Sequence, residues 1–84
     1  MYLWIEAHPN PDIPGGFWEP HLVENMPRKL RVNVDGLKRA SQVFQQFTAD
    51  YGLGGGNCPS AYVYEDDGEL TARISYNGRI WAII

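Results

Sequence analysis

The sequence has too few cysteines and histidines for a disulfide or an ordinary zinc site. Cys58 is the only cysteine among 84 residues, so no disulfide can form within the chain. His8 and His21 are the only histidines, and together with Cys58 they lack the close-spaced ligand pairs that structural zinc uses. Because a lone cysteine is typical of a reducing compartment, we expect a cytoplasmic protein without a cofactor.

The sequence also lacks long apolar runs and an excess of basic residues. Its longest unbroken apolar run, residues 80–84, has the length of a strand, whereas a membrane-spanning helix needs about 20 apolar residues. The chain does not open on a charged and apolar signal segment. Seven Lys and Arg against ten Asp and Glu give a net charge of −3. Nucleic acid is therefore a less favoured partner, because phosphate contacts need basic side chains, and no membrane partner is expected.

What is present indicates one small domain over residues 1–84. A chain of this length hides roughly 60–65% of its unfolded surface and builds one core. Residues 2–8 and 29–34 alternate apolar and polar positions, which predicts two half-buried strands. Five prolines between residues 9 and 27 disfavour regular structure there. The apolar side chains of that segment, including Phe17 and Trp18, predict a packed loop rather than a disordered linker.

The strongest periodic signal predicts a helix that begins near Leu37. Asp35 is expected to cap its N-terminus through the carboxylate. Gly52 and Leu53 are expected to end it in a Schellman motif. Apolar residues recur at spacings of three and four, which places them in one stripe. The stripe consists of Leu37, Ala40, Phe44, Phe47 and Tyr51.

Two dipeptides predict a three-stranded meander after the helix. Asp67-Gly68 and Asn77-Gly78 fit two-residue type I′ turns, in which both central residues have positive φ. The pairs expected across these turns are Glu65 with Leu70, Val63 with Ala72, Tyr62 with Arg73, Tyr76 with Arg79, Ile74 with Trp81, and Ala72 with Ile83.

This register gives the meander two unlike faces. The face expected to bury against the helix carries Ala61, Val63, Leu70, Ala72, Ile74, Trp81 and Ile83. The opposite face carries Tyr62, Tyr64, Thr71, Arg73, Ser75, Ile80 and Ile84. The predicted fold is α+β: an antiparallel sheet of about four to five strands with one amphipathic helix packed on one face.

Catalytic interpretations have little support in the sequence. The glycines of residues 52–57 follow the helix without an adjacent lysine, so they predict a connection rather than a phosphate-binding loop. Cys58 as a nucleophile would need a base within reach, and only His8 and His21 could supply one. We therefore expect no enzyme activity.

Four carboxylates crowd the first predicted turn. As a solvated turn they need no further role. As an acidic prong they would dock on a basic partner, with long-range steering as the benefit. These residues are Glu65, Asp66, Asp67 and Glu69.

The face with Tyr62, Tyr64 and Arg73 has three interpretations. The loop around Phe17 and Trp18, or the first strand, could cover it. It could be a protein interface, where Tyr, Trp and Arg are enriched. It could also be a stacking platform for single-stranded nucleic acid. Cover or protein interface is favoured over nucleic acid.

A basic corner is predicted where the second strand meets the helix. It could meet the acidic turn of a second copy and so form a homodimer. Its residues are Lys29, Arg31, Lys38 and Arg39.

Residues 37–81 combine a capped helix, a glycine break, an acidic turn and an Ala-Arg-Ile-Ser-Tyr-Asn-Gly-Arg-Ile-Trp hairpin. This half of the chain resembles the C-terminal half of small phage- and plasmid-encoded anti-CRISPR proteins. The resemblance implies a non-enzymatic inhibitor in the host cytosol that binds a CRISPR effector subunit by acidic surface mimicry or steric block. The predicted function is accordingly a protein-binding inhibitor, with a sheet-face binder of single-stranded nucleic acid as the alternative. The expected contact residues are Glu65, Asp66, Asp67, Glu69, Tyr62, Tyr64 and Arg73.

Overall fold

A computed structural model describes residues 1–83, which form five strands and one α-helix. The predicted α+β fold, with its sheet and single helix, is confirmed. No helix in the described part of the chain is long and apolar enough to cross a membrane. The elements in chain order are β1 Tyr2–Glu6, a 3₁₀ turn Pro20–Leu22, β2 Lys29–Asn33, α1 Leu37–Asp50, β3 Ser60–Tyr64, β4 Leu70–Ser75 and β5 Ile80–Ala82.

The strands form one antiparallel sheet in the order β2-β1-β3-β4-β5. β1 is therefore an inner strand, and β2 and β5 are the two edges. The predicted strands at residues 2–8 and 29–34 are confirmed, but each ends earlier, β1 at Glu6 and β2 at Asn33. The meander β3-β4-β5 is also confirmed.

The core lies between one face of the sheet and α1, which packs on β1, β3 and β4. Phe44 is fully buried at its centre, against sheet residues that alternate along each strand. This alternation follows from the two-residue period of a strand. The fully buried sheet residues are Leu3, Ile5, Ala61, Val63, Ala72 and Ile74.

The two helix ends differ in how well they match prediction. Gly36 is the N-cap and no side chain caps the first turn, so the predicted Asp35 cap is wrong. Asp35 precedes the capping position by one residue. At the other end, Gly52 has φ +58, its N–H donates to Ala49, and that of Leu53 donates to Thr48. These two bonds are the predicted Schellman pair.

Both tight turns of the meander differ from the predicted type I′. Only Gly68 and Gly78 have positive φ there, at +91 and +88, and no non-glycine residue does. Each turn is therefore a type I turn followed by a left-handed glycine. The closing bonds run from the Gly68 N–H to Glu65 and from the Gly78 N–H to Ser75.

Each of these turns has a loop of three residues instead of the predicted two. The strand pairing compensates for the extra residue in the first hairpin but not in the second. A bulge at Val63/Tyr64 restores the predicted pairing of Val63 with Ala72, although Leu70 pairs with Tyr64 rather than Glu65. No such shift occurs between β4 and β5, where Arg73 pairs with Trp81.

The predicted faces of β5 are consequently wrong. A slip of one residue moves every side chain to the other face. Trp81 and Ile83 lie on the face away from α1, and Ile80 lies on the helix side. Leu70 is also exposed instead of buried. The predicted place of Ile84 lies outside the described residues.

The proline-rich loop is packed, as predicted, but only in part. Ile13, Phe17 and Met26 are buried, whereas Trp18 is 65% exposed. The Trp18 indole lies against Gly54, close to the C-terminal end of α1. The loop therefore closes one end of the core.

Candidate binding face

The sheet face turned away from α1, here called the open face, carries a row of aromatic and cationic side chains. Directly paired residues share a face of a sheet, and the pairing runs unbroken from the β2 edge to the β5 edge. The row spans four interstrand spacings, or about 19 Å. In order across the sheet, it is Arg31, Trp4, Tyr62, Arg73 and Trp81.

Neither predicted cover lies over this face. β1 is a strand within the sheet, and the loop of residues 9–27 buries Phe17 in the core on the helix side. Tyr62 is 38% exposed and Trp81 is 42% exposed. In residues 1–83 the centre of the open face is therefore accessible, and the prediction of an intramolecular cover is wrong.

Guanidinium groups lie over the aromatic rings of the open face. The Arg31 Cζ is 3.8 Å from the centre of the Tyr2 ring, and that of Arg79 is 4.2 Å from the Trp81 ring. Arg73 lies 5.4 Å from the same indole. Cation–π attraction thus holds three arginines on the face.

None of these cations is neutralised by a close carboxylate of the described chain. In residues 1–83 the ion pairs within 4.0 Å involve only the N-terminal ammonium and the two histidines. The open face thus combines four unpaired cations from a total of seven basic residues. The four are Lys29, Arg31, Arg73 and Arg79.

A shallow depression of about 420 Å³ lies between β1 and β3 on this face. Trp4 and Tyr62 form part of its lining. The Trp4 Nε1 donates a hydrogen bond of 3.0 Å to Glu6 Oε1, which fixes the indole. His8 lies 3.7 Å from the same carboxylate. Flat apolar walls with polar groups at one end suit an aromatic ring that carries hydrogen-bonding edges.

The predicted acidic residues do meet at one hairpin tip, beside the open face. The N-terminal ammonium of Met1 donates a hydrogen bond of 2.6 Å to Asp66 Oδ1. This bond and its charge hold the pKa of the Asp66 carboxyl below its usual range, with a smaller contribution from Arg31. Asp67 Oδ1 accepts the Glu69 N–H at 2.9 Å. Asp66 and Asp67 therefore also stabilise the tip itself.

The predicted basic corner is divided by the sheet. Lys29 and Arg31 alternate onto the open face, while Lys38 and Arg39 lie on α1 at the opposite face. Homodimerisation through one continuous basic corner remains a prediction that this arrangement does not support.

The Cys58 thiol is held in its neutral form. Burial raises its pKa to about 11, and its Sγ donates a hydrogen bond of 3.1 Å to the Glu6 carbonyl oxygen. Catalytic and metal-binding cysteines act as thiolates, so this environment opposes the nucleophile interpretation. No group of three potential metal ligands occurs in residues 1–83.

Sequence reasoning found Tyr62, Tyr64 and Arg73 but missed part of the row. Trp4 and Arg31 alternate outward in the two predicted strands, so their pattern was visible. Their place beside Tyr62 was not, because it depends on which strands pair. Trp81 was assigned to the wrong face by the turn geometry.

Comparison with known proteins gives no match: no family model, no curated protein and no solved structure is similar to this chain. The resemblance to anti-CRISPR proteins therefore stays a prediction.

Proposed function

We propose that this chain is a non-enzymatic binding protein whose open face holds single-stranded nucleic acid. The observation that carries the proposal is the accessible Arg31, Trp4, Tyr62, Arg73 and Trp81 row. A sheet with aromatic residues for stacking and cations for the backbone is the arrangement that single-strand binders use.

The local charge of the open face favours an anionic ligand despite the net charge of −3. The four cations Lys29, Arg31, Arg73 and Arg79 lie on this face, and within the described strands Glu6 is its one acid. The Glu6 carboxylate already accepts the Trp4 indole N–H. The acidic tip lies beyond the ends of β3 and β4, to one side of the row, and would repel phosphates there. A strand bound across the sheet would therefore follow the row itself.

A single strand fits this face better than a duplex. Stacking needs bases whose flat surfaces are free, and in a duplex these surfaces are occupied by neighbouring bases. The depression beside Trp4 and Tyr62 has room for one ring, with Glu6 and His8 at its edge. A nucleotide supplies both the ring and the negative charge.

The test is fluorescence anisotropy with a dye-labelled oligonucleotide of about 12 nucleotides. Tyr62→Ala is expected to raise Kd by about 5- to 150-fold, the loss of one stacked base. Arg73→Ala is expected to lower the slope of log Kd against log salt by about 0.7, one phosphate contact. The same oligonucleotide as a duplex is expected to bind more weakly.

Arg39→Ala is the matched control, since Arg39 is an exposed arginine on α1 at the opposite face. It should leave the salt dependence unchanged. Equal losses in Arg39→Ala and Arg73→Ala, or no binding at low salt, would refute the proposal.

A second candidate is the protein-binding inhibitor, favoured by the acidic tip. Asp67 and Glu69 project from a turn that the Gly68 N–H closes onto Glu65, so their charges have fixed positions. Such a tip could occupy a site that normally receives phosphates.

Charge removal at the tip separates the two candidates. Asp67→Asn keeps an oxygen that can accept the Glu69 N–H, and Glu69→Gln preserves side-chain size, so the turn should persist. In assays of DNA cleavage by purified CRISPR effectors, inhibition by the natural protein should fall at least tenfold in this double variant. Oligonucleotide binding should not weaken. If no effector is inhibited, or if the double variant inhibits equally well, the tip has no such role.

A further inference from the structure

The edge strand β5 is apolar and exposed on both of its faces. Ile80, Trp81, Ala82 and Ile83 are consecutive apolar residues, and all four are exposed. An exposed hydrophobic strand at the edge of a sheet is a template for pairing with another chain. Within residues 1–83, β5 has a strand neighbour on one side only, which is β4.

The outer backbone groups of β5 can be identified from the register. The Ser75 N–H donates to Arg79, and the Ile83 N–H donates to Thr71. In an antiparallel ladder, alternate residues direct their N–H and C=O groups to the same neighbour. The backbone N–H and C=O groups of residues 79, 81 and 83 therefore face β4, and those of Ile80 and Ala82 face outward.

The two sheet edges differ in their protection against pairing. Outward-facing residues of β2 include Lys29 and Arg31, and charged residues at an edge oppose the addition of another strand. Strand β5 contains no charged residue and no proline, so its edge lacks this protection. Ile80 and Ala82 lie on the helix side of the sheet but are exposed, so α1 leaves them largely uncovered.

We propose that β5 is a dimerisation strand that pairs antiparallel with β5 of a second copy. A register centred on Trp81 places Ile80 opposite Ala82 of the second copy. The outward-facing N–H and C=O groups of these two residues then form hydrogen bonds with each other. The two Trp81 residues form the close, non-hydrogen-bonded pair, in which aromatic side chains interact favourably. Arg79 then faces Ile83 of the second copy, so no like charges oppose each other.

The occupant is a second copy because β5 is complementary to itself: in this register Ile80 meets Ala82 and no like charges are opposed. The contact is isologous, since the same strand is used by both molecules, and such contacts close as a dimer. β2 then forms both outer edges of a ten-stranded sheet. The two open faces become continuous across Trp81. The inference does not depend on the proposed nucleic-acid function.

The test is the molar mass of the full chain, measured by light scattering and sedimentation over a range of concentrations without nucleic acid. The expected mass at high concentration is twice the 9.5 kDa of one chain. Ala82→Pro removes two outward hydrogen bonds per dimer and leaves the β4 ladder intact, because the Ala82 N–H faces away from β4. Its dimer Kd should rise about 25-fold, a factor of about five for each bond.

Asn33→Pro is the matched control, because it removes an outward N–H from the β2 edge and should leave the mass unchanged. Circular dichroism and thermal unfolding should show that Ala82→Pro remains folded; if it does not, Ala82→Lys adds an edge charge instead. A natural protein that is monomeric at every concentration overturns the inference. So do equal effects of the substitutions at residues 33 and 82.

Discussion

Replacing Asn57 with alanine is expected to lower the free energy of unfolding by about 3 kcal/mol. Its fully buried side chain joins three segments: Nδ2 donates to His8 at 2.9 Å and to Gly16 at 2.7 Å, and Oδ1 accepts the Gly54 N–H at 3.1 Å. Alanine leaves the His8 carbonyl and the Gly54 N–H without these partners, while the Gly16 carbonyl still accepts the Asn10 N–H. Each buried unsatisfied group costs about 1–3 kcal/mol, and partial access of water reduces the sum.

Thermal and urea unfolding measure this loss, which corresponds to about 12–24 °C in Tm for a domain of this size. Asn57→Asp keeps an acceptor but places oxygen where the donor was, so it should be no more stable than alanine. Asn25→Ala, in an exposed part of the loop, should change stability by less than about 0.5 kcal/mol. A loss below about 1 kcal/mol for Asn57→Ala would show that the bridge contributes little.

Replacing Phe44 with alanine is expected to lower the free energy of unfolding by about 4 kcal/mol. Phe44 is the largest fully buried side chain and lies where α1 meets the sheet. Its removal loses apolar burial and leaves a cavity between two rigid elements. Because a domain of 84 residues has a total stability of roughly 4–13 kcal/mol, this substitution removes about a third or more of that stability.

Urea titration at low temperature, with circular dichroism, gives the value even for a weakened protein. Gln42→Ala, on the exposed side of the same helix, should stay within about 0.5 kcal/mol of the natural protein. Phe44→Leu should lose less than Phe44→Ala, since it fills part of the cavity. A loss under about 2 kcal/mol in Phe44→Ala would mean that the core closes around the missing ring.

The periodic elements were predictable because their signals are local. The stripe of α1 and the alternation of β1 and β2 reflect which side chains each element must bury. The Schellman end needs only Gly52 and its neighbours. Asp35 failed as a cap because the helix begins one residue later than its carboxylate would require.

The sheet register could not be predicted from the turn dipeptides alone. Asp67-Gly68 and Asn77-Gly78 fit a two-residue type I′ loop, and they also fit a type I turn closed by a left-handed glycine. The two differ by one residue, which exchanges the faces of a whole strand. In the first hairpin the bulge at Val63/Tyr64 restores the predicted pairing. The second hairpin has no bulge, so Trp81 lies on the face opposite to the predicted one.

The candidate site depends on contacts between distant parts of the chain. Tyr62 and Arg73 were found because one hairpin joins them. Trp4 and Arg31 enter the same row because β1 lies beside β3, a long-range pairing with no local signal. The role of Asn57, within the predicted connection of residues 52–57, has no local signal for the same reason, since its partners His8 and Gly16 are far away in the chain.

The neutral, buried Cys58 gives this protein a natural kinetic probe. Its Sγ is shielded where β1 meets the segment before β3, bonded to the Glu6 carbonyl. An alkylating reagent can reach it only after that junction opens. The labelling rate at a fixed pH therefore reports how often the region separates, at one atom and without any substitution in the chain. It distinguishes local opening from global unfolding when compared with the unfolding rate of the whole domain.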